Sequence, residues 1–542
     1  MLNAVDWTVI GGYFGLVFGV AWWASRGEKD HERNSADYFL AGRNVGWFVI
    51  GASLFASNIG SEHLIGLAGT GAASGLAVAQ FEVQASLVLL LLGWFFVPFY
   101  LRSGVFTMPE FMERRYSPAV RWYLAGISVV GYVLTKISVT IAAGGIVFES
   151  LMGIDFWTGA LLVVVATGVY TILGGLRAVL YTDMLQVFVL IGGSVLVTII
   201  GLQHAGGWDA LREAAPAGFF SVWKPMTDPA FPWTGILFGA PILGVWYWCT
   251  DQFIVQRVLA AHGEDDARRG TIMAGLLKQL PLFIFVVPGI IAMVLAQSGA
   301  LALERSDQAL PVLVATVLPM GLRGVVIAGL LAALMSSLSS VFNSCSTLIT
   351  WDIYRKLHPD ASERTLVRVG QLSTGVLVVL GLLWIPLMAN VSEQLYQYLQ
   401  SVQAYIAPPI AAVFLIGLLW GRVNAAGAIA SLLTGFALGM GRLALELNKA
   451  SLGEEGALMY IATINFLHYA LLLFGVCTAV LVVVSLITRA PDPNRVQGLT
   501  HATVRGVAPL GQPVSPSWRR ADLGLTLVLL GLVLLVWIYF RG

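Results

Sequence analysis

GASLFASNIGSEHLIGLAGTGAASGLAVAQFE, residues 51–82, decides the fold. The stretch is apolar enough to enter a membrane. It is also crowded with Gly, Ser and Asn, carries His63, and closes on Glu82. An ordinary spanning helix has no use for so many helix-weakening and polar residues. A helix interrupted at mid-membrane and lining a cavity does. Polar and ionisable groups at that depth are costly, so they mark a binding site by default.

The rest of the chain agrees. Of 542 residues, 57% are hydrophobic and 11% charged, where a soluble domain carries about 25% charged residues. Mean hydropathy is +0.80. These values predict an all-α polytopic membrane protein. A net charge of +1 leaves no electrostatic footprint for nucleic acid. Cys249, Cys345 and Cys477 lie in apolar surroundings and form neither a disulfide framework nor a metal-ligand spacing. The N-terminus, MLNAVDWTVIGG, has no basic region, which argues for a retained first span over a cleaved signal peptide.

Apolar runs of about 20 residues fall near 4–26, 45–73, 76–101, 119–148, 155–174, 179–202, 233–257, 271–297, 313–352, 366–388, 393–420, 424–441, 460–488 and 523–540, about fourteen spans. With both termini outside, 22 Lys and Arg residues fall on the inner side and 7 on the outer side. That bias fixes the orientation; the expected location is a plasma (inner) membrane. The longest loops are 203–232, outside, and 489–522, inside; the second is rich in Pro, Arg and Gly and reads as a linker.

Asn58, His63, Glu82, Lys136, Lys278 and Gln400 lie at membrane depth on five spans. Singly, each is explained as helix–helix glue or as a snorkelling side chain. Converging in one bundle, these charges, amides and an imidazole need partners, and a polyhydroxylated solute supplies them. Phe81, Trp246, Tyr247, Trp248, Tyr396 and Tyr398 accompany them. Flat rings cover the C–H faces of a sugar. Interfacial belts also use Trp and Tyr, but Trp246, Tyr247 and Trp248 lie mid-span after the irregular FGAPILG, residues 238–244. In LLAALMSSLSSVFNSCST, residues 330–347, the hydroxyls of Ser336, Ser337, Ser339 and Ser340 cluster. Small residues can serve close packing; with carbonyls freed by a broken helix they also make an oxygen site for a hard cation.

The motifs DYFLAGR (37–43), SNIGSEH (57–63), TMPEF (107–111), YTDMLQ (181–186), WYWCTDQFIVQR (246–257), SSLSSVFNS (336–344), DIYR (352–355) and YLQSVQAYIAPPIAAVFL (398–415) resemble the sodium/solute symporter family, and within it the sodium/glucose cotransporter branch. The resemblance covers nearly the whole chain. It implies a leucine-transporter-type core of two five-helix inverted repeats, 45–202 and 233–420, in which the second and seventh spans are broken. Residues 1–44 add a first span and inner loop, and 421–542 add three spans with the linker 489–522.

The resemblance also implies a site. Carbonyls of Ala56, Ile59 and Ala333 with hydroxyls of Ser336 and Ser337 would hold the principal sodium ion. Asp183, Ser339 and Ser340 match the residues that hold a second ion in two-sodium members, so two sodium ions per sugar are expected. The sugar would meet Asn58, His63, Glu82, Lys136, Tyr247, Trp248, Lys278 and Gln400, with Tyr247 stacked beneath it and Phe81, Trp246 and Tyr396 as walls. The chain departs from the pattern at Gly244, where sugar-binding members carry Thr or Asn, at Val83, where Trp is usual, and at Ala85, where a bacterial member has Ser. The implied function is sodium-coupled uptake of a monosaccharide of the glucose or galactose type. Sodium is the coupling ion and the lipid bilayer the surroundings. Alternatives are symport of another solute such as myo-inositol, proton coupling, and a solute sensor or channel. No P-loop or HExxH motif supports an enzyme.

Overall fold

A computed structural model describes residues 2–26, 43–60, 62–388, 394–453, 456–504 and 516–542. Ser61, residues 37–42 of the first motif, and 505–515 of the linker lie outside the described residues, as do the side chains of Arg26 and Arg177. The described chain is helical, with only two isolated bridges, Val45 with Ala261 and Lys224 with Pro232. Ten described helices are long and apolar enough to cross a bilayer. Four shorter apolar helices, Ala4–Val20, Trp47–Asn58, Phe156–Gly168 and Gly235–Thr250, cover the expected first, second, fifth and seventh runs.

Both predicted interruptions are present. The second span is the helix Trp47–Asn58, a non-helical step at Ile59 and Gly60, and a new helical run from Glu62. Its backbone is re-satisfied locally: Gly60 N donates to the Asn58 carbonyl at 2.9 Å, and His63 N and Leu64 N both donate to the Gly60 carbonyl at 3.1 Å. The seventh span breaks at Asp251, whose extended backbone (φ −77°, ψ 128°) separates Val245–Thr250 from Gln252–Leu259. Asp251 caps the second piece by accepting from Phe253 N at 3.3 Å.

One expected boundary differs and another falls where expected. Spans 155–174 and 179–202 are joined in one helical run, Phe156–His204. The residues between them, Gly-Leu-Arg-Ala at 175–178, contain no Pro to break the helix. The outer half of the second span is separated from the third only by Gly75, whose φ of +79° is left-handed. A Cβ there would overlap the Phe219 backbone, to which Leu76 N donates at 2.7 Å.

The serine-bearing helix, Leu322–Thr347, is the central post and is buried along nearly its whole length. It packs on Phe156–His204, Ala4–Arg26 and Trp47–Asn58. Its N-terminus is held by the first span: Asp6 accepts from Gly321 N at 2.9 Å and Gly324 N at 3.1 Å and pairs with Arg323 at 3.0 Å. A carboxylate at a helix N-terminus is favourable both as acceptor and against the helix dipole. The end of the bundle that carries the basic loops is tied by ion pairs. Arg121 meets Asp352 at 2.6 Å and Glu113 at 2.5 Å, Arg102 meets Glu264 at 2.7 Å, and Arg268 meets Asp522 at 2.9 Å.

Candidate functional site

The two interrupted helices face each other across a cavity whose water-accessible volume is about 50 Å³. Three of its walls carry wide, π-helical turns: Glu62–Leu67, Val133–Ile137 and Val245–Thr250. Such turns are frequent at functional sites. Here they present His63, Lys136, and Tyr247 with Trp248.

Of the expected solute contacts, Asn58, His63, Phe81, Glu82, Lys136, Tyr247, Trp248, Tyr396 and Gln400 line this one cavity. Tyr247 is fixed at its floor by two bonds. Asn58 Nδ2 donates to its hydroxyl at 2.8 Å, and Lys136 Nζ does so at 2.8 Å while lying 4.3 Å from its ring centre. On the opposite side Phe81 meets Tyr396 edge-to-face at 5.9 Å, and His63 meets Tyr396 at 6.0 Å. His63 Nε2 lies 3.1 Å from Glu82 Oε1.

Two expected contacts sit elsewhere. Lys278, fully buried, does not line the cavity; it reaches Glu82 from behind and pairs with its Oε2. Trp246 is buried outside the cavity wall, 6.3 Å from the Tyr247 ring. Consecutive helical residues point in different directions, so the Trp-Tyr-Trp triplet cannot face one side. Tyr398 likewise turns away, donating to the Leu134 carbonyl at 2.6 Å and accepting from Trp384 Nε1 at 2.7 Å.

Three polar lining residues escaped the sequence reading: Glu62, Gln84 and Gln403. Gln403 stands one helical turn beyond Gln400, and that spacing was a usable signal. Glu62 is a carboxylate inside the Gly-rich stretch itself. Gln84, two residues from Glu82, gave no helical signal. Its Nε2 donates to the Ile236 carbonyl at 3.0 Å, tying the third span to the seventh. Buried polar groups are normally paired. Here Asn58 Oδ1, His63 Nδ1 and Gln84 Oε1, all buried, have no hydrogen-bond partner among the described residues. Three partnerless polar atoms around one cavity fit a solute rich in donors and acceptors.

The serine cluster divides in two. Ser337 Oγ donates to the Ser57 carbonyl at 3.2 Å, at the break of the second span. Ala56 and Ile59 flank that break, and Ala333 lies one turn before Ser337. Ser336 instead turns to Asp183 and donates to its Oδ1, because neighbouring helical positions diverge by about a quarter turn. The expected second sodium site is not assembled from Asp183, Ser339 and Ser340. Asp183 Oδ2 accepts from Ser53 at 2.9 Å and Ser57 at 2.7 Å. Arg257, wholly buried, stands 3.8 Å from Asp183 and donates to Ser53 at 3.0 Å, to Ser340 at 2.8 Å and to Ser57. Ser339 donates to the Ser336 carbonyl at 3.0 Å. A guanidinium, that of Arg257, therefore supplies the positive charge beside Asp183.

The profile of the "Sodium:solute symporter family" matches residues 38–435. The chain is 39% identical over 532 residues to sodium/glucose cotransporter 1 of Oryctolagus cuniculus, covering 91% of this chain and 80% of that protein. It is 37% identical over 544 residues to the sodium/myo-inositol cotransporter of Mus musculus, covering 92% and 76%. Among solved structures it shares its fold with a Na+-coupled sialic acid symporter captured in a substrate-bound outward-open state. That match has a TM-score of 0.76 at 22% identity and covers 90% of this chain and 99% of that one. A nucleobase-cation-symport-1 family transporter in a closed conformation matches with a TM-score of 0.53 at 15% identity, over 85% and 98%. The broken second and seventh helices thus belong to a leucine-transporter-type inverted-repeat core, and the protein is a transporter rather than an enzyme. The chain belongs to the sodium/solute symporter family and is a sodium-coupled solute symporter.

Proposed function

We propose that the transported solute is a monosaccharide of the glucose or galactose type, taken up across the plasma membrane with both termini outside. The observation that carries this reading is the cavity's chemistry. Amide and imidazole atoms of Asn58, Gln84 and His63 that have no partner among the described residues share one cavity with the aromatic side chains of Tyr247, Trp248, Phe81 and Tyr396. Sugar hydroxyls satisfy the first set and sugar C–H faces cover the second. Glu82, oriented by His63 and Lys278, accepts from hydroxyls. Tyr247, pinned by Asn58 and Lys136, forms the floor that must move for inward release.

Sodium would bind where Ser337 meets the break of the second span, with carbonyls of Ala56, Ile59 and Ala333. Oxygen donors of this kind suit a hard cation. Because Asn58 and His63 flank the same break, an ion that orders it also orders the sugar contacts. Its effect on sugar affinity equals its preference for that ordered state.

Purified protein in sealed liposomes should accumulate glucose or galactose only with an inward sodium gradient, measured as radiolabelled uptake across a panel of hexoses and myo-inositol. Accumulation without sodium, or of none of the hexoses, sinks the proposal. Myo-inositol is the second reading: the mouse myo-inositol cotransporter matches this chain nearly as well as the rabbit glucose cotransporter does, and its hydroxylated ring fits the same donors.

A further inference from the structure

Glu62 opens the helical run after the break and is 2% exposed. Its side chain lines the solute cavity beside Asn58 and His63. It also reaches the other way. A Cβ added at Gly60 would overlap both Glu62 Oε2 and Ser337 Oγ, so these two oxygens flank one point at the break. Gly60 is therefore what lets the carboxylate approach the serine. Ser337 in turn touches the Ser57 carbonyl. A carboxylate oxygen, a hydroxyl and broken-helix carbonyls gathered at one point are a donor set for a hard cation.

We infer that Glu62 is a ligand of the transported sodium ion and joins the ion site to the solute cavity. The inference rests on the placement of the sodium site at Ser337. One carboxylate oxygen faces the ion, while the same side chain forms part of the cavity wall. The ion is then held by a formal negative charge as well as by neutral oxygens, and a shift of the Glu62 side chain on sodium binding reshapes the wall that the solute meets. Serine hydroxyls and carbonyls alone give no such direct link between the two sites.

The test is sodium titration of the purified protein without sugar, read by intrinsic tryptophan fluorescence, followed by sugar titration at saturating sodium. Glu62→Gln keeps the shape and removes the charge. It should weaken sodium binding at least tenfold while sugar affinity at saturating sodium falls less. Glu62→Asp, which keeps the charge on a shorter arm, should bind sodium with intermediate affinity. Ser337→Ala, run in parallel, should weaken sodium binding as well.

If Ser337→Ala weakens sodium and neither Glu62 variant does, the inference fails and the sodium site stands. If neither Ser337→Ala nor the Glu62 variants change sodium affinity, the site itself is misplaced and the inference falls with it. Loss of sugar affinity in Glu62→Gln with sodium affinity intact makes Glu62 a sugar contact only and also overturns it. Should Glu62→Gln fail to fold, Glu62→Asp decides alone, and parental sodium affinity in that variant overturns the inference.

Discussion

Lys278→Met should cost the protein far more than a lost sugar contact. Lys278 is fully buried and pairs with Glu82, which is itself 3% exposed. Removing the ammonium leaves a carboxylate in the bundle with His63 as its remaining partner among the described residues. Breaking a buried pair by removing one member costs about 3–5 kcal/mol. The expected result is a clear drop in melting temperature in detergent, together with at least a hundredfold loss of sugar uptake. Glu82→Gln should lower stability in the same way by stranding the ammonium. The double variant Glu82→Gln/Lys278→Met removes both charges and should regain most of the melting temperature without regaining uptake, because the acceptor for sugar hydroxyls is still changed. If the single variants melt like the parent protein, the pair has no structural role. If the double variant melts no higher than the singles, the charges are not each other's partners.

That pair shows where the sequence was legible and where it was not. Glu82 and Lys278 were visible as intramembrane charges, because a charge inside an apolar run is conspicuous whatever the fold. Their mutual contact joins residues 196 positions apart, and neither periodicity nor composition encodes such a distance. The broken second span was legible for a local reason: glycines and small polar residues cannot sustain a helix through the middle of a membrane. The break at Asp251 was harder to place, because FGAPILG drew attention about two to three and a half turns too early; Pro241 instead lies inside the continuous helical run Gly235–Thr250, just after the wide turn Gly235–Gly239. Asn58, His63 and Gln400 line the cavity from three settings: the end of a helix at the break, a wide turn, and the regular helix Leu395–Leu419. The wall was misread at Trp246, whose direction depends on the local helical phase.

The same distinction decides the ion stoichiometry. Matching Asp183, Ser339 and Ser340 to a motif gave an expectation of two sodium ions, but a motif names ligands without showing what already stands among them. Arg257 stands there, bonded to Ser53, Ser57 and Ser340 beside Asp183, and Asp183 already accepts from three serines. A sodium ion added to Asp183 would meet a guanidinium of like charge and would have to displace it. One sodium ion per sugar is therefore the expected coupling. At about 100 mV, one charge moving inward contributes about 2.3 kcal/mol, and a tenfold sodium gradient adds about 1.4 kcal/mol. One ion then sustains roughly a 500-fold sugar gradient, and two would sustain about the square of that. The measurement is the membrane voltage at which sugar-coupled current reverses, at fixed sodium and sugar gradients in proteoliposomes. A reversal voltage set by one ion is expected for the parent protein. A value set by two ions would mean that Arg257 leaves Asp183 during the cycle and that the carboxylate then takes a sodium ion in its place. Arg257→Gln sharpens the contrast, since it uncovers Asp183 and leaves an amide where the guanidinium was. If that variant folds, its reversal voltage should move toward the two-ion value, whereas an unchanged one-ion value would show that Asp183 does not bind sodium even when its own cation is removed.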